Sequence, residues 1–379
     1  LIQFWFLQQR LATPRLQAQI LQKAKLDQYR DMTPETRFSP LEPTRDKTRI
    51  WPVFLPFQGC HGRCVYCAQD LQTGTAEESL ATHYDRLEAG LSQAYREKRP
   101  PCELGFFGGT FASLPRPWPR RFLGLARRYR NLGLITRIRC STRPDGLDHD
   151  RLSALKEEGL DLVELGVQSF SDRALSLSRR SYSGEEATRG CQAVRESGLE
   201  LGIQLLPGLP GHDPTAWLRD IALTARLHPA LVRIYPCLVV KGSALETQWR
   251  KGDYVPWSLE QTIALLSRGV FRLWRAGIPV TRIGLPPEPG LVDNLTAGPW
   301  HPALGSLVKS RILLARLLFQ ALVLGPGAKE VICPKRCQGE FFGHQGKYRA
   351  RLQKIGIAPA DVSFQDQDHF VIRNKTRTP

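Results

Sequence analysis

Residues 51–67 read WPVFLPFQGCHGRCVYC, and this stretch decides how the rest of the chain is read. Its first seven residues are apolar and carry aromatic and β-branched side chains, the mark of a buried strand. The chain then turns at Gly59 into a loop that holds Cys60, Cys64 and Cys67, three of nine cysteines within eight residues. A chain of 379 residues can bury a large core without disulfide staples, and an odd cysteine count fits a secreted disulfide framework poorly. The three thiols therefore read as metal or cluster ligands in a reducing compartment. Two ligand sets stand, beside the alternative of three buried cysteines brought together by chance. A cubane iron–sulfur cluster takes one thiolate on each of three irons and leaves the last iron open to N and O donors. A structural zinc ion wants a fourth protein ligand, which His61 or Cys102 would supply.

Working outward, six more β-rich runs follow at 103–109, 135–141, 161–169, 199–208, 231–236 and 278–285. Several are apolar on both alternating faces, as buried parallel strands are. Helical stretches lie between them. Residues 76–98 have acidic residues early and Lys late; 183–198 open on a candidate Ser cap and end in Gly; 213–229 open on Asp-Pro. Repeated β-α-β units imply right-handed crossovers and one parallel sheet. About six units predict an α/β fold, a partial (βα)6 TIM-like barrel with a small α/β C-terminal domain. The predicted divisions are an N-terminal extension at 1–49, the barrel at 50–285 and a C-terminal domain at 286–379. Pro286-Pro287-Glu288-Pro289-Gly290 marks the last boundary, followed by a helical run at 304–323, a short strand near Val331-Ile332-Cys333-Pro334 and a basic stretch at 347–354.

Lys and Arg exceed Asp and Glu by 17. Such a charge favours acidic partners, nucleic acid first, although an arginine-rich composition explains it equally well. The basic stretches Arg116 to Arg130 and Lys347 to Lys354 read by default as solvated faces. No run of apolar residues reaches the length of a membrane span, so no membrane partner is expected. The composition excludes a disordered, collagenous or coiled-coil chain. Residue 1 is Leu and the one methionine is Met32. Residues 1–31 match a signal peptide poorly; they read either as a docked amphipathic helix or as an over-extended start, with the native start at Met32.

CxxxCxxC after a first strand, with Tyr66 just before the last cysteine, resembles the signature of radical S-adenosylmethionine (radical SAM) enzymes. Further blocks follow in order: Phe106-Phe107-Gly108-Gly109-Thr110-Phe111, Ser141-Thr142-Arg143-Pro144-Asp145, Glu164-Leu165-Gly166-Val167-Gln168-Ser169, Gly202 to Gly211, Val232-Arg233-Ile234-Tyr235-Pro236, Arg282-Ile283-Gly284-Leu285 and Ala297 to Pro302. Together, over residues 50–305, they resemble the radical domain of the Elongator catalytic subunit in its short bacterial form, with Gln69 and Thr73-Gly74 after the cysteines. At 379 residues the chain is too short for that subunit's acetyltransferase domain, so no acetyl-coenzyme A reaction is expected. Where relatives tend to carry Arg-Gly-His after the GVQS block, this chain reads Arg179-Arg180-Ser181-Tyr182.

The resemblance implies a radical SAM barrel in which Cys60, Cys64 and Cys67 ligate a 4Fe–4S cluster. It implies that S-adenosyl-L-methionine is cleaved there to a 5′-deoxyadenosyl radical. Gly108, Gly109 and Thr110 would receive the methionine amino group, with Ser141, Arg143 and Gln168 at strand ends as further contacts. Arg143 pairs either with the methionine carboxylate or with Asp145. Gly208 and Leu209 shape either the adenine pocket or a plain turn. The implied partners are tRNA or another RNA and an electron donor such as flavodoxin or ferredoxin, and the implied location is cytoplasmic. Two other readings remain. One is a coproporphyrinogen dehydrogenase-like enzyme, against which the glycine block lacks the extra Gly and Pro usual there. The other is a non-catalytic iron–sulfur protein that binds RNA or senses redox state. Cys333 and Cys337, with His344, are a weaker candidate for a second metal, being short of four ligands. Cys102, Cys140, Cys191 and Cys237 read as buried small residues.

Overall fold

The computed structural model describes residues 35–44, 48–73 and 78–375. The N-terminal stretch 1–31, Met32 and Gly74 lie outside these residues. In chain order the described strands are β1 (Glu35–Phe38), β2 (Ile50–Leu55), β3 (Cys102–Gly108), β4 (Ile135–Thr142), β5 (Leu162–Gln168), β6 (Glu200–Leu205), β7 (Leu231–Ile234), β8 (Val239–Val240), β9 (Val280–Ile283), β10 (Leu295–Ala297), β11 (Lys329–Pro334), β12 (Ile357–Gln365) and β13 (Phe370–Asn374).

The chain divides into two compact units, Glu42–Pro302 and a second made of the segment to Leu41 together with Ala303–Pro379. The first holds a seven-stranded sheet in the order β2-β3-β4-β5-β6-β7-β9, parallel at every pairing. Each of the seven β-rich runs supplies one strand, so the sheet has one strand more than the six units counted. Edges β2 and β9 do not pair with each other, which makes the barrel open.

Local chemistry sets the crossover helices. Ser183 and Glu186 form a reciprocal capping box that starts the helix Gly184–Glu196. Asp213 accepts from the Ala216 N–H and Pro214 occupies the first turn, which together start Pro214–Leu227. Ser79 caps Leu80–Arg96 by accepting from the Thr82 N–H. Packing then fixes the layers. Trp217 is fully buried, and its Nε1–H donates to the Leu265 carbonyl of the helix Leu259–Arg275 at 3.0 Å. A Cβ at Gly269 would lie 2.8 Å from the Trp217 ring, so the glycine lets these two helices approach. Burying one such aromatic stabilises by about 3 kcal/mol.

The predicted boundary at 285/286 gives way to one at 302/303. The proline-rich segment is not a linker: it leads into the helix Pro289–Asn294, and β10 pairs with β8 inside the barrel unit. The second unit has a four-stranded mixed sheet in the order β1-β13-β11-β12, flanked by the predicted helix Leu304–Val323. Its first strand comes from the stretch read as an N-terminal extension. Phe38 of β1 stacks on Phe370 of β13 at 4.6 Å between centroids, within a core that includes Leu317, Val331, Phe341 and Ile372.

Candidate active site

The cysteine loop leaves the C-terminal end of β2 and is fixed by its own backbone. The Cys60 N–H donates to the Phe57 carbonyl at 3.0 Å, and the Cys67 N–H to the Cys64 carbonyl at 3.1 Å. Between them, Val65 donates to Ser178 at 3.2 Å and accepts from Leu245 at 2.7 Å. The loop is also stapled to the end of β3. The Thr110 N–H donates to the Gln58 carbonyl at 2.8 Å, and Gln69 bridges the Phe57 N–H at 2.8 Å and the Gly108 carbonyl at 2.6 Å. A Cβ at Gly109 would sit 2.0 Å from the Gln58 carbonyl oxygen. Gly109 is thus small because the two loops touch there, a nearer reason than the approach of a ligand.

Cys60, Cys64 and Cys67 line one cavity of about 610 Å³ with Gly108, Gly109, Thr110, Ser141, Arg143 and Gln168. That volume is in the range of small-molecule sites. Ile50, Pro52 and Phe54 on β2 and Arg282 on β9 also line it, so both edges of the open sheet face the same space. Cys60 Sγ lies 3.3 Å from Thr110 Oγ1. Burial and then the neighbouring Cys64 and Cys60 thiols push the Cys67 thiol up to about 12. Ligation would displace that proton.

Among the described residues, no three His, Cys, Asp or Glu side chains are arranged to hold a single metal ion. Cys102 begins β3 while the glycine block ends it, roughly 20 Å along the strand at about 3.3 Å per residue. Cys102 therefore does not serve as the fourth ligand of a zinc ion at the loop. A cubane, which offers separate irons to separate thiolates, fits this donor set. Three uncharged polar groups around the cavity are compatible with a polar occupant: Tyr66 Oη, Thr142 Oγ1 and Gln168 Oε1 are buried, line it and have no hydrogen-bond partner among the described residues. Buried polar groups are normally paired, and a bound polar molecule would supply these partners. Gln168 is also held at φ 66°, a conformation that a non-glycine residue seldom adopts.

Two arginines at this cavity differ. Arg143 is spent on Asp145, to which Nε and Nη2 each donate at 2.8 Å, and on Ser181 Oγ at 2.6 Å. Of the two pairings open to it, the one with Asp145 is formed. Arg180 donates from Nη1 to Cys64 Sγ at 3.2 Å and is anchored by the Gly166 carbonyl at 2.5 Å and by Tyr182 Oη, 2.8 Å from Nε. No carboxylate lies in salt-bridge range of Arg180 among the described residues. Sequence reasoning missed it; the one signal was the departure Arg179-Arg180-Ser181-Tyr182 itself.

Gly208 and Leu209 are not brought to the cavity. Gly208 donates its N–H to His212 Nδ1 at 3.2 Å and accepts from Tyr254 Oη at 2.7 Å, while Leu209 is buried in an apolar cluster. They build a turn. His212 in turn lies 3.1 Å from Asp220, which also accepts from Ser169 at 2.7 Å. Cys333 is fully buried, its thiol facing the Pro334 carbonyl at 3.4 Å.

The open parallel barrel with its cysteine loop is the architecture of one enzyme superfamily, and the sequence comparison agrees. The family model of the Radical SAM superfamily matches residues 54–222, and that of the Radical_SAM C-terminal domain matches 229–313; the chain belongs to this superfamily, whose members bind a 4Fe–4S cluster and SAM. Within it, the chain is similar to the tRNA uridine(34) acetyltransferase of Methanocaldococcus infernus, 26% identical over 288 residues, which is 66% of this chain and 54% of that protein. It is also similar to an oxygen-independent coproporphyrinogen III oxidase of Paracoccus denitrificans, 27% identical over 48% of this chain and 41% of that one. The solved structure of the archaeal Methanocaldococcus infernus Elp3 has a TM-score of 0.54 at 22% identity, over 70% of this chain and 63% of that one, a likeness of fold. The chain spans about half the length of the curated relatives it matches. No described helix is long and apolar enough to cross a membrane.

Proposed function

We propose that this chain is a radical SAM enzyme that reductively cleaves S-adenosylmethionine at a 4Fe–4S cluster held by Cys60, Cys64 and Cys67, and that its substrate is a tRNA. The observation that carries the reading is the single cavity on which the three thiols, the glycine loop and three orphaned polar groups converge. When bound, the cluster supplies the electron that splits the sulfonium into methionine and a 5′-deoxyadenosyl radical. The protein's part is placement. Thr110 and the glycine loop present polar backbone beside Cys60, and Arg180 offers a fixed cation beside Cys64 for the methionine carboxylate. Arg143, already neutralised by Asp145, shapes the wall. Gln168 Oε1 and Thr142 Oγ1 are free to receive hydroxyl and amine donors. Buried Tyr66, whose phenol burial pushes well up, stays a neutral donor.

The tRNA substrate rests on the named activity of the uridine(34) acetyltransferase relatives and on the net charge of +17. A flavodoxin or ferredoxin as electron donor and a cytoplasmic location belong to the same proposal. The test is anaerobic. The chain is reconstituted with iron and sulfide, dithionite and SAM are added, and 5′-deoxyadenosine is followed by chromatography with and without bulk tRNA. Wild type is expected to yield it and Cys64→Ala only background. An intact cluster that gives no deoxyadenosine, with or without RNA, would sink the proposal.

A further inference from the structure

Two arginines line the cavity outside the cysteine and glycine loops. Arg233 on β7 and Arg282 on β9 are direct register partners on adjacent parallel strands, and both line the cavity. Like charges placed opposite each other repel, so a sheet does not pair them without cause. Arg233 takes one oxygen of Glu164 at 3.1 Å, while the other oxygen accepts from Arg139, which has Glu103 as a second carboxylate. Arg233 Nε has no well-aligned hydrogen-bond acceptor among the described residues. Arg282, exposed on the edge strand β9, has no carboxylate in salt-bridge range among them and is open to an incoming anion. Around the whole cavity stand four arginines and one carboxylate, Glu288. A cubane held by three thiolates is itself anionic, but it belongs at the cysteine loop beside Arg180, and SAM brings a sulfonium and an ammonium against one carboxylate, so Arg282 keeps its guanidinium for a further anion.

We propose that Arg233 and Arg282, with Tyr235 beside them, form an anion-recognising subsite that takes a carboxylate or phosphate group of the molecule the radical attacks. The inference rests on the radical SAM reading above and names the chemistry of its substrate end. Tyr235 follows Arg233 by two residues, so it shares the face that lines the cavity. Two guanidinium forks offer the parallel N–H pairs that an oxyanion accepts. Arg233 is further steadied by stacking on Phe107, with 4.7 Å from its guanidinium carbon to the ring centroid.

The experiment uses the reconstituted full chain with saturating SAM, so that Arg180 is not the site observed. Inorganic phosphate and succinate are titrated separately by calorimetry into wild type, Arg282→Glu and Arg282→Lys. One of the two anions is expected to bind wild type at one site, and the preference tells phosphate from carboxylate. Arg282→Glu is expected to weaken it about 10- to 100-fold, as loss of a charged partner does, while melting no lower than wild type because the cross-strand pair becomes attractive. Binding of neither anion, or equal binding by wild type and Arg282→Glu, overturns the proposal. Should Arg282→Glu lose its cluster, Arg282→Lys decides: it must weaken the anion several-fold, having lost the fork, and equal affinity refutes the subsite. Deoxyadenosine from wild type without anion binding removes this inference alone. Anion binding without deoxyadenosine removes the radical reading alone.

Discussion

The molecule holds two close groups of cysteines, and their surroundings are opposite. Cys60, Cys64 and Cys67 sit on a loop at the C-terminal end of a parallel strand, around a cavity with orphaned polar groups. Cys333 and Cys337 sit at the end of a strand packed among Leu317, Phe341 and Phe364, with Cys333 fully buried. Ligand number already separates them in sequence, three thiols against two, and the structure adds a second difference. That difference is the backbone: the first loop is pinned by neighbours that leave its thiols facing open space, while the second closes on an aromatic core. A metal site is made by what holds the ligands as much as by the ligands.

The sharpest way to break this comparison is to loosen the pinning and leave the thiols in place. Gly109→Ala would force a Cβ to within 2.0 Å of the Gln58 carbonyl oxygen, where neither backbone can yield. Iron bound per chain after reconstitution is expected to fall about tenfold, since overpacking of this kind costs about 1–3 kcal/mol at the loop. Gly62→Ala is the control, because a Cβ there meets nothing within 4 Å. Equal iron in both variants would show that the staple between the loops does not hold the ligands.

A second comparison lies within the cavity, between Arg143 and Arg180. One is matched by Asp145 and the other has no carboxylate. Arg180→Gln is expected to weaken SAM binding, measured by equilibrium dialysis, about 10- to 100-fold, the value of a charge-assisted hydrogen bond in a buried site. Arg143→Gln is expected to change it only a few-fold, through the wall it shapes. The reverse order would return the carboxylate to Arg143.

Much of this was legible before any coordinates. Seven runs of apolar, β-branched and aromatic residues became the seven parallel strands, most legibly β3 and β5, which are buried on both faces and leave no polar alternation to misread. Ser183 and Asp213 were readable as caps, because capping needs one side chain at one offset. The cysteines and the glycine block were readable because their chemistry is local. The rest was not local. β1 pairs with β13 across most of the chain, which no window of sequence reveals, so the second unit's boundary was misplaced. Arg180 reaches Cys64 over 116 positions. Gly208 and Leu209 stayed open in the sequence for the opposite reason: a glycine–proline turn looks the same whether it cradles a ligand or only reverses the chain.

The smallest expected effect tests the quiet half of the first comparison. Cys333 is buried and its thiol is pushed up, first by that burial and then by Cys337 and Glu340. It behaves as a small apolar side chain, and such a residue contributes packing alone. Cys333→Ala should therefore lower stability by about 1–3 kcal/mol, a melting temperature down by several degrees, with iron per chain and deoxyadenosine yield unchanged. Cys337→Ser, at a half-buried position, should cost less. A fall in bound metal in either variant would reverse the contrast, for it would mean that the packed cysteines ligate after all and that the aromatic core only conceals it.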